Sequence, residues 1–256
     1  MRAFIAFLKK EILENIRSGK LLILLLLFTC FGIMNPAIAK MTPWLIEIMS
    51  EELAESGMTV GAVEVDALTS WTQFFKNIPM ALIVFAVVYA PSFTKEYASG
   101  TLTLLLTRGL ARYKVLLAKA LIILSFWTVG YYLCFGITYA YNAYFWDNSL
   151  ATGLGASVAL WWLFGVWVLC AMIFLSAVCL SSSAVLIGTG GMTLAVYLFS
   201  LIPKVGDYSP AALMGSSGII FGTVEAGEFA GCTVIAVMFS LAFIASAVPI
   251  LNRKQL

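Results

Sequence analysis

Apolar and polar positions follow two different patterns along this chain. At the start, Phe4, Ile5, Leu8, Ile12 and Ile16 recur at helical spacing, while Lys9, Lys10, Glu11, Glu14 and Arg17 take the other side. That is the signature of an amphipathic helix lying in a membrane interface, and it predicts one over residues 1–20, with Gly19 allowing a turn. Beyond it the alternation gives way to unbroken apolar runs at 21–39, 78–93, 115–140, 158–180, 184–202 and 229–251. A helix needs roughly 20 apolar residues to cross a bilayer. The pattern therefore predicts an all-α polytopic membrane protein, a single transmembrane domain over 1–256 with six spans.

The segments between the spans differ in character. Residues 40–77 form the longest polar stretch and are expected to be an external loop; within it Trp44, Leu45, Ile48, Met49 and Leu53 mark a short helix begun by Thr42-Pro43 and ended by Ser56-Gly57. Residues 94–114 are basic. Tyr141 to Gly155 is a short loop, Ser181-Ser182-Ser183 a tight turn, and Pro203 to Glu228 a Gly/Pro-containing loop. A secretory signal ending at Ala37-Ile38-Ala39 is disfavoured, because the leading segment is too long and too regularly amphipathic for an n-region.

Charge then sets the orientation. With the N-terminus cytoplasmic, 12 of the 15 Lys/Arg residues lie inside, and only Lys40, Lys76 and Lys204 lie outside. Ten of the 13 acids face outward, the exceptions being Glu11, Glu14 and Glu96. The Lys/Arg bias sets topology, so both termini are expected in the cytoplasm and the protein in the plasma membrane. Trp44, Trp71, Tyr144, Trp146, Trp161 and Trp162 gather near the outer ends, as an aromatic belt does. Composition agrees: 62% hydrophobic and 11% charged residues, against about 45–50% and about 25% in soluble domains.

Several chemistries are excluded. There is no histidine, and the five cysteines all lie in apolar stretches without a CxxC pair, so no metal or redox centre is expected and the thiols read as packing residues. The chain has no GxxxxGK[ST] loop; Ser18-Gly19-Lys20 lacks the upstream glycine and Gly188–Gly191 lacks a lysine. No nucleotide-hydrolysing or other enzymatic activity is expected, and no nucleic-acid binding. No span is expected to carry a charge near its centre, which argues against a proton pump. Asn35, Ser125, Thr128, Tyr131 and Tyr132 are candidates for a substrate pathway; the plainer reading is interhelical hydrogen bonding.

The most informative stretch is Thr94 to Lys119. Gly100 breaks it, Thr101 suits an N-cap, and Leu102, Leu105, Leu106 and Leu110 form a stripe with Arg108, Arg112 and Lys114 around its far end. Physics alone allows either a docking helix or a basic interfacial loop touching anionic lipid.

The order of an amphipathic helix, a span, an external loop, a second span and a Glu-x-x-x-Gly-Thr-Leu segment (Glu96, Gly100, Thr101, Leu102), followed by Arg112 and Lys119, resembles permease subunits of ABC-2-type transporters. Lys9-Lys10-Glu11 and the run Phe31 to Pro36 are similar to bacterial members. The resemblance implies the ABC-2 exporter fold and a coupling element at 94–114 that docks on a separate ABC ATPase. Glu96, Gly100, Thr101, Leu102, Leu105, Arg108, Arg112 and Lys114 would form it. It also implies a second permease copy, as a homo- or heterodimer, and ATP and Mg bound by the partner rather than by this chain. The expected function is export of an amphipathic drug, peptide or lipid-like substrate by alternating access. The alternative is a non-transporting sensor or immunity protein binding a ligand at the acidic external loop.

Overall fold

The computed structural model describes residues 2–54, 65–98, 111–203 and 205–253. Its α-helices run in the order α1 (Arg2–Arg17), α2 (Lys20–Ala54), α3 (Ala67–Tyr89), α4 (Pro91–Ala98), α5 (Arg112–Phe145), α6 (Leu154–Val178), α7 (Ser182–Ser200) and α8 (Ala230–Arg253). Among the described residues there is no strand, and six helices (α2, α3, α5, α6, α7 and α8) are long and apolar enough to cross a membrane. The protein is an all-α multi-pass membrane protein.

Local chemistry sets the breaks. Gly19 sits at φ +74°, where a side chain would be strained, and turns the chain from α1 into α2. Asp66 caps α3: its carboxylate accepts from the Thr69 N–H at 2.9 Å and from the Thr69 hydroxyl at 3.1 Å. Ser181 caps α7 by accepting from the Ala184 N–H at 3.2 Å.

Two stretches expected to be loop are helical. The first helix does not stop at residue 39 and restart at Thr42-Pro43; α2 runs unbroken to Ala54 with Pro36 and Pro43 inside it. A proline removes one backbone donor, but helix is kept in apolar surroundings because nothing else satisfies the other backbone groups. Next to Pro43, the Thr42 hydroxyl donates to the Ile38 carbonyl at 2.8 Å. Likewise the second span begins at Ala67, well before 78, because Trp71, Phe74 and Phe75 are core residues.

The expected loop 203–228 is also largely ordered. Pro210–Phe221 is a twelve-residue 3₁₀ helix. Its buried positions Pro210, Leu213, Ser216 and Ile219 recur every third residue, which is the period of a 3₁₀ helix. Ser216 and Ser157 of α6 exchange hydroxyl-to-carbonyl bonds of 2.8 and 3.0 Å.

The centre is aromatic. Phe28 of α2, Phe85 of α3 and Trp127 of α5 meet edge-on or tilted, with centroids 5.7–6.4 Å apart. The helices close on these rings through glycine: a Cβ at Gly130 would run into Phe28, and one at Gly165 into Trp127. Enclosure is uneven, with 61% of the most apolar stretch of α6 buried but only 11% of that of α7.

Candidate functional site

At the end of the bundle where α1, α4 and the start of α5 meet, three charged side chains are buried together. Lys119 of α5 donates from Nζ to Glu11 Oε2 of α1 at 2.8 Å and lies 3.2 Å from Glu96 Oε1 of α4. The side chains of Glu11 and Lys119 are each only 4% exposed, and that of Glu96 is 11%. Lys10 extends the network, reaching Glu11 Oε1 at 2.9 Å, Glu14 Oε2 at 2.7 Å and Glu96 Oε1 at 3.7 Å. Two carboxylates and two ammonium groups thus alternate, Glu96–Lys119–Glu11–Lys10, with Glu14 on the exposed margin. Pairing of this kind is what allows charges to be buried at all, since each alone costs several kcal/mol (~20 in the idealised limit) to remove from water.

The surroundings hold the cluster still. Asn15 donates to the Glu11 carbonyl at 2.9 Å and accepts from the Tyr89 hydroxyl at 3.2 Å, tying α1 to α3. Phe7 packs on Val115 and Ala118. Lys119 also lies 5.7 Å from the Phe93 ring centroid. Burial alone would lower the Lys10 pKa, but its hydrogen bonds to Glu14 and Glu11 outweigh that and raise it. The same bond holds Glu14 below the usual carboxylate range.

Sequence reading missed this site. The helical pattern put Glu11 on the polar side of α1, and Lys119 was named as a basic residue of the family-like motif without a buried partner; both are buried. Lys119 is the eighth residue of the 34-residue α5, toward its start and away from its centre. The available signal was that Glu11 and Asn15, four residues apart, share a face with Phe4, Phe7 and Leu8.

The other expected coupling residues fall differently. Arg112 donates to the Leu251 carbonyl at 2.8 Å and the Asn252 carbonyl at 3.4 Å, capping the end of α8. Lys114 lies 5.8 Å from the neighbouring Tyr113 ring centroid. Gly100, Thr101, Leu102, Leu105 and Arg108 lie outside the described residues. Close by, the hydroxyls of Thr94 in α4 and Ser182 in α7 share a hydrogen bond of 2.6 Å.

The expected pathway residues do not converge on one cavity. Asn35 is fully buried, donating to Thr138 Oγ1 at 3.1 Å and accepting from Asn77 Nδ2 at 2.9 Å, so it joins α2, α5 and α3. Tyr131 is buried with its hydroxyl on the Val158 carbonyl at 2.8 Å. Thr128 donates to the Leu124 carbonyl and accepts from the Trp162 indole at 3.1 Å. With Ser125 it lines a shallow groove on α5, and Tyr132 is 41% exposed. The apolar cavity lies elsewhere. About 540 Å³ opens between α3, α6 and α7, lined among others by Leu82, Ile83, Phe164, Leu186 and Leu194.

Comparison with known proteins agrees with this architecture. Residues 5–217 match the family described as ABC-2 family transporter protein. Over 258 residues the chain is 24% identical to an uncharacterized transmembrane protein, YxlG, of Bacillus subtilis (strain 168), an overlap of 94% of this chain and 96% of that one. No solved structure matches the chain. The family match runs from α1 into the Pro210–Phe221 helix and contains Glu11, Glu96 and Lys119. Members are membrane transport components rather than catalysts, the permeases of ABC transporters, and generally work with an ABC ATPase. This chain belongs to the ABC-2 transporter family.

Proposed function

We propose that this permease is the membrane half of an exporter, driven by a separate ATPase subunit that docks on the segment following Glu96, with both chain termini cytoplasmic. The observation that carries the reading is the Glu96–Lys119–Glu11 cluster. It roots the chain leading into residues 99–110 in both α1 and the first span after that segment. A force applied there reaches α5 through a buried charged joint. The Arg112 contact to the end of α8 supports the same reading, because it couples the start of α5 to the end of the last span.

The pathway forms between two permease copies, and the sparse enclosure of α7 supports a partner against that helix. The apolar lining of the cavity between α3, α6 and α7 suits a lipid-like or amphipathic substrate better than an inorganic ion.

The test is co-expression with the candidate ATPase. Glu96→Ala and a scramble of residues 101–106 are expected to abolish co-purification and stimulated ATP hydrolysis while the permease still reaches the membrane. Retention of both properties by both variants would overturn the reading and leave a ligand-binding sensor as the better account.

A further inference from the structure

A second built site lies at the opposite end of α5, where that helix passes into α6. A cavity of about 660 Å³ there is lined by Phe135, Tyr139 and Trp146 together with Asp147, Asn148 and Ser149. Phe135, Tyr139 and Ala143 are spaced four residues apart on α5, so this wall runs roughly 12 Å along the helix axis. The cavity thus joins an aromatic wall to a single, exposed carboxylate.

The wall is braced from behind. Trp71 of α3 lies 5.5 Å from Phe135 and 6.5 Å from Tyr139, centroid to centroid. Its indole donates to Asn148 Oδ1 at 3.2 Å, and Asn148 in turn donates to the Tyr139 carbonyl at 3.2 Å. Asp147 is fixed by accepting from the Ser149 hydroxyl at 2.6 Å and the Ser149 N–H at 2.9 Å. Those bonds use part of the lone-pair capacity of the carboxylate, leaving room for another donor. They also hold its pKa below the usual range, so it is charged at neutral pH.

Beside the lining residue Trp146, a cation already rests on an aromatic ring. Lys40 Nζ of α2 sits 3.8 Å from the centroid of Phe145, whose ring is 5.7 Å from that of Trp146. An ammonium group is attracted to aromatic faces by their quadrupole, and most strongly where a fixed negative charge adds to it.

We propose that this cavity binds the head of an alkylammonium amphiphile, with its cationic nitrogen between Asp147 and the aromatic wall and its tail along Phe135 toward the membrane. This site lies toward the opposite end of α5 from the Lys119 cluster, so its test uses none of the residues invoked for ATPase docking.

The whole chain, purified in uncharged dodecyl maltoside micelles, is titrated with radiolabelled dodecyltrimethylammonium. Saturable binding is expected, displaced by the unlabelled cation but not by its neutral analogue with a tert-butyl head. Asp147→Asn and Tyr139→Leu are each expected to weaken binding about tenfold, with an unchanged unfolding temperature. Displacement by phosphatidylethanolamine but not phosphatidylglycerol identifies a lipid headgroup as the natural source of the ammonium. Displacement by dodecyltrimethylammonium but neither lipid identifies a free amphiphile. Equal competition by the neutral analogue, or no saturable binding to the unmodified chain, overturns the proposal without recourse to any variant. So does undiminished binding to both variants.

Discussion

Lys119 Nζ and Glu11 Oε2 lie 2.8 Å apart across 108 residues of sequence, both buried, so the first helix of the chain is tied by charge to the third long span. Removing one partner of an isolated buried pair costs about 3–5 kcal/mol; here Lys119 would keep Glu96 and Glu11 would keep Lys10, which brings the cost down to about 1–3 kcal/mol. Lys119→Met and Glu11→Gln should each destabilise the permease by about that much. The double variant should lose less than the sum of the two, because no orphaned charge remains from this pair. Unfolding of the four forms in micelles measures the coupling; strict additivity would mean that the two groups do not interact.

The Lys10–Glu14 pair at the exposed edge predicts how docking of α1 depends on pH. Glu14 has its folded pKa lowered, so its contribution is present above the ordinary carboxylate range and is lost as pH falls through the lowered value. Lys10 has its folded pKa raised, so its contribution is complete below the ordinary value of 10.5 and is lost only as pH rises through the raised one. Hydrogen-exchange protection of residues 2–17 should stay flat from about pH 5 to 10 and fall on the acid side first. Glu14→Gln should reduce the acid-side fall. Because the pair is half exposed, the effect should be under about 1 kcal/mol.

Asn35 separates a structural role from a pathway role. Its side chain bonds Thr138 and Asn77, and interhelical bonds of this kind contribute about 0.6–2 kcal/mol each. Asn35→Ala should lower stability by about 1–3 kcal/mol while leaving the substrate range of the assembled transporter unchanged. Unfolding and transport assays on the same preparation check both halves.

Two glycines in neighbouring spans should respond in opposite ways. Gly165→Ala drives a methyl group into the Trp127 indole, whose N–H donates to the Trp162 carbonyl at 3.3 Å. Overpacking of this sort costs about 1–3 kcal/mol. Gly190 on α7 has nothing within 4 Å of a Cβ. Gly190→Ala should leave the monomer unchanged or better by under about 1 kcal/mol, since alanine is the better helix former. Gly190→Trp should weaken association of two copies, measured by cross-linking, if α7 faces the second permease.

The six spans were legible in the sequence because their apolar runs are long and, apart from Lys119, free of charge, and the helices at those runs follow the same order. Their ends were less legible for reasons specific to apolar surroundings. Thr42-Pro43 reads as a helix start in water, yet α2 continues through it. Residues 210–221 read as loop because they contain glycine and proline, and the polar Ser216 interrupts the three-residue spacing of Pro210, Leu213 and Ile219 that would have marked the buried face. The buried charges escaped for another reason. Glu11 looks like one of five polar residues on a solvated face, and only the placement of Lys119 against it shows that it turns inward.

The hydroxyl contact between Thr94 and Ser182 links the short helix preceding residue 99 to the first turn of the least enclosed span. Any displacement of α4 must therefore either carry the start of α7 along or sever that link. Movement begun at one edge of the bundle has a direct mechanical route to its least enclosed side, one that bypasses the tightly packed aromatic centre.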